Sequence, residues 1–146
     1  LVHFSSSMMM VIIAGSIVIG SHIALVNEQE KKHVKNARIA QGLVLAQTMQ
    51  LSVSEYYADR QVFPSSKKDI GYPEKEDFKH PFVSSINLEE TGVISITFNG
   101  EAGSEKGVIR LVPHVVSTGF NLEWKCLTSD FKSIGHVMSS CTYQNK

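Results

Sequence analysis

The first 27 residues, Leu1 to Asn27, contain no Asp, Glu, Lys or Arg, although the 146-residue chain carries 14 acidic and 14 basic side chains. A bilayer core is crossed by about 20 mainly apolar residues as a helix, and Met8–Val26 (MMMVIIAGSIVIGSHIALV) supplies a stretch of that size. Such a segment needs either lipid or protein around it. The chain therefore divides by composition into residues 1–27, an apolar helix for a membrane or for self-assembly, and residues 28–146, a water-soluble head. The head has about 119 residues, enough for one domain with a single modest core.

A cleavable signal peptide explains the apolar stretch less well. There is no basic n-region, the run exceeds the usual roughly 7–15 apolar residues, and no A-x-A site ends it. The chain begins at Leu1 rather than Met, which leads us to expect that a leader has already been removed. A formal net charge of zero argues against nucleic acid as the main partner, because phosphate binding needs a clustered basic excess. Lys31, Lys32, Lys35 and Arg38 follow the span closely, and the positive-inside rule alone would place that flank in the cytoplasm. A basic leader, or the neighbouring Glu28 and Glu30, would offset it.

Between Glu28 and Arg60 there is no proline and one glycine, Gly42. Ile39, Leu43, Ala46, Val53 and Tyr57 recur at helical spacing and form one apolar stripe. With no cap signal between the apolar and amphipathic parts, the pattern predicts one helix from about Met8 to Arg60, roughly 80 Å long at 1.5 Å per residue. Pro64 stops it.

Three stretches then alternate with period two: Ile94, Ile96 and Phe98; Ile109 and Leu111; and Phe120, Leu122, Trp124 and Cys126. Alternation of this kind means one buried and one wet face, as in an antiparallel sheet packed on a helix. Val83–Leu88 is a weaker fourth strand. The expected fold is α+β: a long N-terminal helix with a projecting apolar half, its amphipathic half packed on a sheet of three or four antiparallel strands.

Two cysteines, Cys126 and Cys141, lie near the C-terminus. They form no C-x-x-C motif. Two buried thiols are one reading; a bridge closing the irregular tail Leu127–Tyr143 is the other. The membrane span tips the balance to the disulfide, which implies an oxidising compartment.

No catalytic chemistry is legible. His3, His33, His80, His114 and His136 lack metal-ligand spacing, and no nucleophile elbow or H-E-x-x-H is present. Gly100–Gly107 fails the phosphate-loop spacing at Glu105 and reads as a hairpin loop. Lys67 and Lys68 read as a solvated loop. We expect no enzyme, no cofactor and no metal.

Taken in order, several segments resemble those of bacterial type IV pilins, of the a subclass. An apolar helix with Gly20 near its middle leads to Ser54-Glu55-Tyr56-Tyr57-Ala58 and Phe63-Pro64-Ser65. Phe82-Val83-Ser84-Ser85-Ile86 and Gly92-Val93-Ile94-Ser95-Ile96-Thr97-Phe98 follow. Gly107 to Pro113, Leu122-Glu123-Trp124-Lys125-Cys126 and Ser139-Ser140-Cys141 complete the series. The resemblance implies a structural subunit held in the inner membrane, passed to a pilus assembly machinery and polymerised into an extracellular filament of identical subunits. Adhesion, twitching motility or DNA uptake would be its task. The alternatives are a pseudopilin of a type II secretion system and a membrane-anchored periplasmic binding domain.

In such a filament Val11, Ile12, Ile13, Ile17, Val18 and Ile19 would carry the core contacts, with Gly15 and Gly20 permitting close helix approach. The resemblance has two departures. The acidic residue usual in the first turns is absent, since its register falls on Val11 or Ser5. The aromatic first residue is replaced by Leu1 or Ser7. His22 is the polar residue deepest in the stretch. Its plainer role is a neutral histidine bonded to a backbone carbonyl. The sharper one is an inter-subunit polar contact, with Ser16 and Ser21, in place of the missing carboxylate.

Overall fold

The computed structural model describes residues 6–73, 80–116 and 121–145, with side chains from residue 25 onward. One uninterrupted α-helix, α1, spans Ser6–Arg60. The chain divides into two compact units, Leu1–Val34 and Lys35–Lys146. Among the described residues no helix is long and apolar enough to cross a membrane. The stretch Met8–Val26 lies, as far as Ala24, outside the described side chains.

The second unit is an α+β domain. Strands β1 (Val83–Leu88), β2 (Ile94–Phe98), β3 (Val108–Val115), β4 (Leu122–Thr128) and β5 (Cys141–Tyr143) form one sheet in the order β1-β2-β3-β4-β5. The first three pairings are antiparallel, and β5 joins β4 in parallel. The expected sheet of three or four antiparallel strands thus gains a fifth, parallel strand. The tail expected to be irregular holds this strand and a short helix, α2 (Ile134–Val137).

Burial explains why the helix lies on this sheet. Ile39, Leu43, Ala46, Val53 and Tyr57 are buried on α1, and Met49 fills the turn between Ala46 and Val53. From the sheet, Ile94, Ile96, Phe98, Ile109 and Leu111 meet them in one apolar cluster, with every second residue of β2 and of β3 as far as Leu111 facing the helix. Leu122 and Trp124 are only half-buried and pack against the edge of that cluster. Their partners across the ladder, Val115 and Pro113, lie beyond Leu111, the last β3 residue that β2 covers. The backbone parity of β3 turns the Pro113 nitrogen to that open side, where a strand tolerates a residue with no N–H.

The outer face departs from simple alternation. Ser95 is buried although the pattern assigns it to water. It sits between Asn87 on β1 and Arg110 on β3, and Arg110 pairs with Glu89 across it. Phe120 lies outside the described residues.

The helix ends at Arg60, as the spacing predicts, and it is closed before Pro64 is reached. Gln61 adopts the left-handed conformation (φ 56°) and its N–H donates to the Tyr57 carbonyl at 2.8 Å, a helix-closing arrangement. Phe63 then stacks on Tyr57 at 4.7 Å, and Pro64 is fully buried.

A short 3₁₀ helix, Lys67–Ile70, follows. Asp69 Oδ2 accepts from the Ser66 and Ser65 N–H groups at 2.9 and 3.0 Å and from the Ser65 hydroxyl at 3.1 Å. The Ser65 hydroxyl, then the Ser66 side chain and the Ser65 N–H, hold the Asp69 carboxyl below its ordinary value of 3.8. A depressed carboxyl contributes stability above its unfolded-state pKa and loses it as pH falls through the folded value. An NMR titration should therefore place the Asp69 midpoint below 3.8, with the Ser65 and Ser66 amide signals moving at the same midpoint. A midpoint at or above the ordinary value would contradict this linkage.

Candidate functional site

Two parts of the molecule were singled out by sequence: the apolar helix and the cysteine-bounded C-terminal segment. The second is fully described. Cys126 and Cys141 form a disulfide, 15 residues apart, with Cα atoms 4.3 Å apart. They are also the first register pair of the β4–β5 ladder, so the bridge crosses two adjacent strands and does not merely tether a tail.

Between the cysteines the chain is anchored at both ends and open in its middle. The Thr128 hydroxyl donates to the Val108 carbonyl at 2.6 Å and accepts from the Asp130 N–H at 3.1 Å. Asp130 Oδ2 accepts from the Val108 N–H at 3.0 Å. These bonds satisfy the β3 groups at a point where β4 has ended its pairing. The Gln144 N–H donates to the Thr128 carbonyl at 2.8 Å, continuing the β5 alignment.

Phe131 and Ile134 point inward and are buried. The Phe131 ring meets Phe98 edge to face, at 5.4 Å and 77°, the geometry aromatic pairs favour. Lys132, Ser133, Gly135, His136, Ser139 and Ser140 are exposed. The segment is thus a surface patch with a fixed base, polar at its fully exposed positions, with Val137 and Met138 half-buried between them. A cavity of about 210 Å³ opens at that base, lined by Arg110, Leu127, Ser129, Asp130 and Gln144 among others. Its charged groups are already engaged, Arg110 with Glu89 and Asp130 with Val108. Among the described residues no three His, Cys, Asp or Glu are disposed to hold a metal ion.

The helix carries its own features. Gly42 was visible in the sequence only as an interruption. Here it is a notch, because a Cβ at that position would lie 2.4 Å from Cε1 of Phe98. The outward face of α1 bears exposed Val44 and Leu51, and from Ile39 to Ala58 Glu55 is the one charged residue. A face that stays in water normally carries more charge than this. Val11, Ile12, Ile13, Gly15, Ile17, Val18, Ile19, Gly20 and His22 all fall within the helix, and their side chains lie outside the described residues.

A long helix laid across a meander that is closed by a cross-strand disulfide defines the α+β architecture of a bacterial filament subunit. The chain belongs to the pilin family: the model of that family, described as a bacterial filament, matches residues 36–144. No curated protein matches the chain. The match begins within α1 and ends after β5, so it covers helix, sheet and disulfide-bounded segment together. The family is structural, and its members are subunits of filaments.

Proposed function

We propose that this chain is the structural subunit of an extracellular type IV pilus, held in the inner membrane by Met8–Val26 until assembly. The observation that carries the reading is the union of the family match with an unbroken helix, Ser6–Arg60, in a chain whose first 27 residues lack charge. Polymerisation exchanges lipid for the apolar helices of neighbouring copies. At about 25 cal/mol per Å² of apolar surface kept from water, that burial stabilises a fibre standing in water.

In this account Val11, Ile12, Ile13, Ile17, Val18 and Ile19 line the filament core, and Gly15 and Gly20 let helices approach closely. His22 takes the place of the missing acidic contact. The head, residues 28–146, forms the outer layer and presents the segment between Cys126 and Cys141.

Electron microscopy of sheared surface material, with antibody to the head, tests the proposal. Labelled surface filaments are expected, with fewer or none from His22→Ala cells. Label confined to the periplasmic side of the envelope would favour a pseudopilin. Label on dispersed membrane without any polymer would favour an anchored binding domain. Normal filaments from His22→Ala would remove the role given to His22.

A further inference from the structure

The connection from β2 to β3 opens with Asn99–Gly100. In this dipeptide the asparagine carboxamide is open to attack by the following backbone nitrogen, because glycine has no side chain to bar the approach. The fold restrains both partners of that reaction. Asn99 Oδ1 accepts from the Glu101 N–H at 3.0 Å, and Nδ2 donates to the Pro81 carbonyl at 2.9 Å. The Asn99 N–H donates to the Phe82 carbonyl at 3.2 Å. The Gly100 N–H, the nucleophile's own proton, donates to the Glu105 carboxylate at 2.7 Å.

Backbone geometry adds to the restraint. Asn99 is extended (φ −99°, ψ 179°), which staggers its Cβ against the Gly100 nitrogen about the Cα–C bond. Closing a five-membered ring needs these atoms nearly eclipsed. The loop is itself tied to α1. Arg38 pairs with the Glu101 carboxylate at 2.8 Å and also donates to the Glu101 carbonyl. The Lys35 stem lies against Gly103, where a Cβ would meet its Cδ at 3.0 Å. Asn99 is half-buried, and Gly100 and Glu101 are exposed, so water reaches the site.

We propose that Asn99 is a deamidation site gated by opening of this loop. Once the loop opens, the Gly100 nitrogen gives its proton to solvent base and attacks Asn99 Cγ. The bond from Cγ to the side-chain nitrogen breaks, ammonia leaves and a succinimide forms. Water then opens the ring at either carbonyl, giving aspartate or isoaspartate. In the closed loop the Glu105 carboxylate beside that nitrogen opposes the anion, and the tethered carboxamide is held away from it.

The product cannot restore the original contacts. A carboxylate has no proton to donate to the Pro81 carbonyl, and it adds a negative charge to a loop that already holds the Glu105 carboxylate at the Gly100 N–H. Deamidation therefore records each subunit's history of loop opening, in a filament protein that stays outside the cell once assembled.

The test is peptide mapping that separates Asn, Asp and isoAsp at position 99 during incubation of the full chain in detergent at neutral pH. Conversion is expected to be at least about tenfold faster in urea than in the folded chain, because unfolding removes every restraint. Arg38→Ala, which touches neither reacting group, should raise the folded-state rate roughly two- to five-fold, the scale of one partly exposed ion pair. Hydrogen exchange at the Gly100 amide of the unaltered protein gives an independent readout, and its rate should track conversion as temperature is varied. Equal rates in folded and unfolded chains would overturn the proposal, as would no conversion in urea. So would a wild-type rate in Arg38→Ala despite faster Gly100 exchange.

Discussion

Phe98→Ala is expected to lower the unfolding free energy by about 3–5 kcal/mol, the cost of emptying a large buried aromatic site. The ring is fully buried at the point where three segments meet. It sits over the notch at Gly42 on α1, belongs to β2, and meets Phe131 from the disulfide-bounded segment. Losing it therefore removes contacts from helix, sheet and C-terminal segment at once. The reverse change, Gly42→Ala, should cost about 1–3 kcal/mol by overpacking, since the new methyl would also stand 3.2 Å from Val83 Cγ2. The two sites share one space, so their effects should not add. In Phe98→Leu the smaller side chain should make Gly42→Ala cheaper than it is beside phenylalanine. Urea denaturation of the full chain in detergent, followed by circular dichroism, measures the cycle. Strict additivity would show that the notch does not position the helix.

Replacing both Cys126 and Cys141 by serine is the second large effect, at about 3 kcal/mol for a closed loop of this length in the chain-entropy model. The loss should be local before it is global. Strand β5 is three residues long and pairs with β4 alone. Without the bridge it keeps its short ladder to β4, the Gln144–Thr128 bond and the half-buried Tyr143, while α2 buries only Ile134 fully. Hydrogen exchange of amides 129–143 should rise well above that of β2 and β3 under native conditions. Unchanged exchange in that segment would mean that Phe131 and Ile134, and not the disulfide, fix the patch.

The helix was legible because its period is long and repeated. Ile39, Leu43, Ala46, Val53 and Tyr57 mark the buried face by spacing alone, and Met49 continues that face between Ala46 and Val53. Gly42 was legible as a residue and illegible as a fit, because a notch exists only when Phe98 arrives from far along the chain. Strand β5 could not be read: Cys-Thr-Tyr is too short for alternation to show, and its parallel partner β4 lies across a turn and a short helix. Ser95 was misread for a related reason. Its parity is that of a wet residue, and the Arg110–Glu89 pair that covers it joins residues far apart in sequence. Leu122 and Trp124 alternate as core residues do, but they lie past the end of β2 and stay half-covered. The cysteine pair needed the least inference, since the compartment implied by the apolar stretch already favoured oxidation.

In the proposed function one apolar stretch serves in the membrane first and in the fibre afterwards. Mass spectrometry of filaments sheared from the cell surface tests it most directly. Peptides covering Met8–Val26 are expected in the filament in the same molar amount as peptides from Ile94–Thr128. Filaments that contain the head but lack that stretch would contradict it.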